Sequence, residues 1–360
     1  MIASGGASCY ALPSMSDFFY NLTPDAILEA AEQAGLRPAG YCLALNSYEN
    51  RVYDLRLEDD SHVVAKFYRP GRWSREQILE EHEFLLDLQA DEIPVCAPLT
   101  LARGGTVDEI RGILFAVWPR TGGRIPDELP DDALASLGRL LARIHNQGAL
   151  KPAPHRRELT GHAYGLEPLA FLESHTFLPD RLASRYRRAV EEIVAVYDDW
   201  LPDVPVHRIH GDCHLGNLLH GSAGWFFLDF DDFLTGPAVQ DVWMLCSARD
   251  AEGRRQRTIF LDGYRQFRDF DDRWLRLIEP LRALRYIHYA AWLARRWEDP
   301  AFPRAFPHFG TEAYWEEQTA DLEDQLDWIR HGRGGAAPEA PVEEEGPPLT
   351  NKDFFWDYEE

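Results

Sequence analysis

The stretch 210–229, HGDCHLGNLLHGSAGWFFLD, restricts what this chain can fold into more than any other. Gly211 and Gly216 lie close to Asp212 and Asn217, so the run reads as a turn-rich loop, because glycine reaches backbone angles that other residues resist. Leu218 and Leu219 follow, and a second apolar run, 225–228, delivers Asp229. A lone Asp-x-x-x-x-Asn is an ordinary turn. What sets this one apart is His210-Gly211 before it and a strand ending in Asp after it. The residue types match phosphoryl transfer: a carboxylate accepts the proton of an attacking hydroxyl, and Asn and Asp offer hard oxygens to Mg²⁺.

With 360 residues the chain is long for one core, so two lobes are expected. A net charge of −23 argues against a nucleic-acid partner. The five cysteines are far apart with no C-x-x-C pair, which argues against disulfides or a zinc site and suits a reducing compartment. Cys213, inside the loop, reads as a small apolar filler. No basic leader or membrane-length apolar run is present, so a cytoplasmic protein without membrane contact is expected, and a monomer.

Four regions follow from the patterning. Residues 1–16, rich in Ser, Gly and Ala, form a loose leader, and 17–118 form an amino-terminal lobe. In that lobe a helix begins at Thr23-Pro24 and is stopped by Gly35. Strands are expected at 51–57 and 62–68, joined by the acidic turn Glu58-Asp59-Asp60-Ser61, and further short ones near 97–101 and 112–118. Between them, 74–88 is helical, giving a small antiparallel sheet with one long helix. Residues 119–330 are mostly helical, with helices at 131–145, 180–200, 255–268 and 281–297. The acidic tail, 331–360, is expected to lack order apart from its aromatic end. The class is α+β.

Lys66 is a lone lysine in the apolar strand VVAKFY. A solvent-facing lysine on a sheet edge is the plain alternative. The cluster Glu80-Glu81-His82-Glu83 in the next helix favours another reading, in which a strand Lys pairs with a helix Glu and is held on the nucleotide phosphates. Glu81 is preferred because Leu85 marks its face as packed, with Glu83 the fallback. No G-x-G-x-x-G precedes Lys66. Its place is taken by the turn Leu45-Asn46-Ser47-Tyr48-Glu49-Asn50, where Ser47 and nearby amides are positioned for phosphate oxygens.

With these residues in place, the chain resembles the aminoglycoside phosphotransferase and choline kinase superfamily, relatives of the protein kinases. The signature H-G-D-x-H-x-x-N and I/L-D-x-x-D is matched by His210, Gly211, Asp212, His214 and Asn217, then Leu228, Asp229 and Asp232. The stretches LNSYENRVY, VVAKFYRPGRW, QILEEHEFL and GPAVQDVWML are similar to the bacterial stress response kinase group of that superfamily. The resemblance covers about residues 17–330 and implies a two-lobed, protein-kinase-like fold. It also implies that Asp212 is the proton acceptor, that Asn217 and Asp229 hold Mg²⁺, and that Ser47 lies at the ATP phosphates, beside the Lys66 and Glu81 pair read from the spacing. Asp241 would brace the loop from a following helix. His210, His214 and His145 are structural in this reading.

The activity expected is ATP- and Mg²⁺-dependent transfer to protein Ser or Thr hydroxyls, including the chain's own. A small-molecule kinase acting on an amino alcohol or aminosugar is the alternative, with the same core. An idle nucleotide-sensing scaffold is the third, and the retained Lys66, Asp212, Asn217 and Asp229 count against it.

Overall fold

The computed structural model describes residues 19–331 apart from Tyr20, Asn46, Tyr48 and Ala223. The expected leader, 1–16, and the tail beyond His331 lie outside the described residues. The chain is α+β and divides into two compact units, residues 1–75 with 98–120, and residues 76–97 with 121–360.

The smaller unit is a helix on an antiparallel sheet. Helix α1 (Pro24–Gln33) starts where Thr23 accepts a hydrogen bond from the Ala26 amide, with proline in its first turn. It stops at Gly35, whose φ of +90° lets the Leu36 and Gly35 amides turn back onto the carbonyls of Ala31 and Glu32. The sheet runs β1-β2-β3-β5-β4, with β1 Pro38–Leu45, β2 Arg51–Leu57, β3 His62–Phe67, β4 Asp108–Ile110 and β5 Ile113–Pro119. Alternation does the sorting. Leu55, Val63, Ala65, Phe67, Phe115 and Val117 point into a core shared with Ala26, Ile27, Ala30 and Ala31 of α1.

Two expectations change here. Residues 97–101 are not a strand: Pro98 has no amide hydrogen to give a ladder, and in this stretch Leu99 donates to Val117 while Leu101 donates to Gly105. The first strand, β1, escaped the sequence reading because it is an edge strand with Pro38 and Gly40, largely exposed and without clean alternation.

The larger unit is mostly helical. Helix α2 (Arg75–Ala90), expected with the sheet, contributes Phe84, Leu85 and Leu88 to this unit's core. Helices α3 (Asp131–Gly148), α4 (Glu167–Ser174), α5 (Asp180–Trp200), α6 (Val239–Leu245), α7 (Ala251–Tyr264), α8 (Ile278–Ala294), α9 (Ala301–Ala305) and α10 (Glu312–His331) follow. Helices α3 and α7 cross closely, since a Cβ on Gly138 would lie 2.0 Å from the Phe260 oxygen and one on Gly263 2.2 Å from that of Ala135. Two small antiparallel pairs stand among the helices, β6 (Val206–Ile209) with β9 (Leu234–Pro237), and β7 (Leu218–Gly221) with β8 (Gly224–Phe227). Among the described residues no helix is long and apolar enough to cross a membrane.

Candidate active site

The loop between β6 and β7 is held from beneath by a buried polar chain. Asp241, on α6 and fully buried, accepts the amides of His210 through Oδ2 and Gly211 through Oδ1, both at 2.8 Å. The same Oδ2 accepts His145 Nε2 at 3.0 Å, and His145 Nδ1 lies 2.8 Å from the Tyr264 hydroxyl. Tyr264 O–H to His145 to Asp241 satisfies each group in turn if His145 is neutral with its proton on Nε2. Burial favours that state, holding His145 well below its usual range. Burial also pushes the Asp241 carboxyl up to about 6, against the pull of His210 and the two amides.

Gly211 follows with a φ of +83°, and a Cβ there would stand 2.6 Å from the Asp232 oxygen, so the loop turns only with glycine. His210 is buried and bonds across the loop, Nε2 to the Leu228 oxygen at 2.7 Å, while the Asp212 amide donates to its Nδ1 at 3.3 Å. His214 accepts the Gly216 amide on Nδ1. Both histidines therefore shape the loop. Among the described residues no group of three or more His, Cys, Asp or Glu suits a metal. Cys213 is buried, and burial pushes its thiol well up, as befits an inert filler.

Asp212 is surrounded by donors. Arg285 Nη2, from α8, lies 2.7 Å from Oδ1; His214 Nε2 lies 3.5 Å from Oδ2 and Asn217 Nδ2 3.4 Å. Burial works to raise this carboxyl, but Arg285 and then His214 outweigh it and hold it well below the usual carboxylate range. Asp212 is a permanent carboxylate at neutral pH. Arg285 was missed from the sequence, although Arg282, Arg285 and His288 break an otherwise apolar helix at spacings of three and were the available signal.

Asn217 and Asp229 meet at the open end of the β7–β8 pair. Leu218 pairs with Phe227, and the Leu228 amide donates to the Asn217 oxygen at 2.9 Å. Asn217 directs Nδ2 to the Asp212 carbonyl at 2.8 Å, which orients its amide oxygen away. Asp229 is exposed and left-handed, with φ +51° and ψ +70°, a conformation that Asp tolerates better than most residues. Asn217 offers an amide oxygen and Asp229 a carboxylate, too few ligands by themselves to enclose a metal. They suit an ion that keeps water and phosphate among its ligands, as Mg²⁺ does.

The remaining candidates lie elsewhere in the chain. Lys66 stands on β3, an interior strand of the sheet, so the edge reading is set aside. It is 8% exposed, with its ammonium 5.4 Å from the Tyr68 ring centre and 5.7 Å from that of Trp118. Ser47, half-buried, precedes β2. Of the glutamates on α2, Glu81 is 1% exposed, whereas Glu80 receives the His155 amide and Glu83 holds Lys151 at 2.9 Å on the surface.

The chain is similar to known phosphotransferases over most of its length. Residues 42–278 match the phosphotransferase enzyme family. Stress response kinase A of Escherichia coli (strain K12) is 44% identical over 308 residues, covering 85% of this chain and 93% of that one. A Salmonella typhimurium relative named serine/threonine protein kinase RdoA is 41% identical over the same shares. Among solved structures, amicoumacin kinase hAmiN in complex with AMP-PNP, Ca2+ and Ami superimposes with a TM-score of 0.67 at 23% identity, covering 86% of this chain and 93% of the other. A microcompartment-associated aminopropanol kinase does so with a TM-score of 0.63 at 19% identity, covering 86% and 98%. The chain belongs to the phosphotransferase enzyme family, in its stress response kinase A group.

Proposed function

We propose that the chain transfers the γ-phosphoryl group of ATP to Ser and Thr hydroxyls of proteins, its own included, as part of a bacterial stress response. The observation that carries this reading is Asp212, an ionised carboxylate held by Arg285, in a chain similar over most of its length to relatives named as stress response and serine/threonine kinases. Asp212 accepts the acceptor's O–H and aims its oxygen at phosphorus. The hydroxyl oxygen forms the new P–O bond, the bond to the ADP oxygen breaks, and the proton passes to Asp212. A carboxyl with so low a pKa is a weak base, so most of its contribution is orientation, with proton capture late.

Asn217 and Asp229 are the residues that would hold Mg²⁺, which when bound supplies charge neutralisation at the β- and γ-phosphates. Lys66 is assigned to the α- and β-phosphates with Glu81 as its partner, and Ser47 to the phosphate oxygens.

The test is incubation with labelled ATP and Mg²⁺, alone and with a generic protein substrate. Label on Ser or Thr is the expected result. Turnover that requires added choline or an aminoglycoside, with no label on protein, overturns the reading in favour of a small-molecule kinase.

A further inference from the structure

Helix α8 carries a polar stripe that starts at the candidate active site. Arg285, His288, Trp292 and Arg295 succeed one another at spacings of three, four and three, which places them along one side of the helix. Arg285 is the guanidinium on Asp212. His288 packs on Tyr164, ring centres 4.5 Å apart, with its Nδ1 buried and without a hydrogen-bond partner among the described residues. Burial first, then the charges of Arg157, Arg295, Arg285 and Arg296, drive that ring's pKa down to about 3, so it stands as a neutral imidazole.

The outer members face solvent. Arg295 is exposed and lies 4.9 Å from the ring centre of Phe171 on α4. Arg157 is 43% exposed and reaches Glu167 only at 4.0 Å. Partial burial first, and then the Arg157 guanidinium, lower the Arg295 pKa, while Glu167 acts to raise it. In a chain of net charge −23, Arg157 and Arg295 set two exposed guanidinium groups beside α4, where Arg157 faces Glu167 and Arg295 faces Phe171, one turn apart. Exposed guanidinium groups attract anionic partners and repel cationic ones.

Resting on the protein-kinase reading above, we propose that Arg157 and Arg295 form a docking track for acidic peptide segments, binding Glu or Asp side chains that flank the acceptor Ser or Thr. Guanidinium groups suit this because they grip carboxylates bidentately. The helix sets the reach. Ten residues at about 1.5 Å each separate Arg285 from Arg295 by ~15 Å. An extended peptide covers that in about four or five residues at ~3.3 Å each. The track therefore selects acidic residues about four or five positions from the phosphorylated one.

The test uses the full chain, Mg²⁺-ATP and three peptides of equal length with one Ser, carrying Glu, Gln or Lys four and five positions away. The expected order of kcat/KM is Glu, Gln, Lys, with about tenfold or more between the first and last at low salt and less at high salt. Arg157→Glu and Arg295→Glu should each shrink or invert the Glu-to-Lys ratio, mainly through KM. Thermal unfolding and Mg²⁺-ATP titration establish that the variants are folded. Should Arg295→Glu fail to fold through loss of the Phe171 contact, Arg157→Glu, on an exposed loop, decides alone. Equal kcat/KM for the three peptides, or a ratio untouched by folded variants, overturns the track and leaves the kinase reading standing. No phosphorylation of any peptide, together with turnover of choline or an aminoglycoside, overturns both.

Discussion

Arg285 Nη2 lies 2.7 Å from Asp212 Oδ1, and the two residues come from a helix and a loop 73 positions apart in sequence. The pair makes Asp212 a fixed anion and gives it one orientation. Arg285→Ala should leave nucleotide binding largely intact and lower kcat about 10- to 100-fold, or roughly 1.4 to 2.7 kcal/mol of barrier. Arg285→Lys should recover part of the loss, since it restores charge but not the forked geometry. Steady-state kinetics with ATP varied separates the two effects, and a rise in the KM for ATP with kcat unchanged would contradict this role.

The buried Asp241 predicts the acid limb of the pH–rate profile. Its carboxyl is pushed up to about 6, whereas Asp212 is held low, so Asp241 is the first of the two to protonate as pH falls. Protonation replaces an acceptor of the His210 and Gly211 amides with a weaker one, and kcat should fall as pH drops through about 6. Asp241→Asn should lower kcat at all pH values and remove that inflection. Survival of the same inflection in the variant would assign it to another group.

The proposed nucleotide ligands make a graded pair. Lys66→Ala should slow turnover by about 10²-fold or more, as loss of a donor to transferring charge does elsewhere, and Glu81→Ala by less. ATP affinity and kcat measured on both variants check the order. Near-normal turnover of Lys66→Ala removes Lys66 from the site.

The candidate loop was legible as a unit because its residues are close in sequence. Asp212, Asn217 and Asp229 lie on one loop and hairpin, where glycines and a short apolar run determine the geometry locally. The strand of Lys66 was legible, but its interior position was not, because that depends on pairing with β5 as well as β2, and no local pattern reveals the distant partner. Arg285 was hidden for the same reason, since nothing local says which loop a helical arginine will reach. Helix α10 was also unforeseen: its polar residues Gln318, Thr319, Asp321 and Gln325 are buried, which blurs the amphipathic pattern. Helix α2 was found within two residues at each end, yet its packing partners were not a property of its own sequence.

The crossing of α3 and α7 predicts a stability effect with an unusual sign. Ala is the better helix former, so Gly→Ala in an open helix stabilises. At Gly138 or Gly263 the added methyl meets a backbone carbonyl of the facing helix at 2.0 or 2.2 Å. Each substitution should destabilise by about 1–3 kcal/mol, the usual range for overpacking. Urea unfolding of the two variants measures it, and an unchanged or higher midpoint would show that the helices separate easily.

The central claim is that Asp212 serves the acceptor and Asp229 the metal and nucleotide, and calorimetric titration of Mg²⁺-ATP into Asp212→Asn and Asp229→Asn, with turnover measured on both, tests it most directly. Asp212→Asn should bind Mg²⁺-ATP nearly as the parent does while losing about 10²- to 10⁴-fold in turnover, the span that general-base assistance covers. Asp229→Asn should lose metal-dependent binding and turnover together. Loss of nucleotide binding by Asp212→Asn with binding retained in Asp229→Asn would contradict the account and exchange the roles of the two carboxylates.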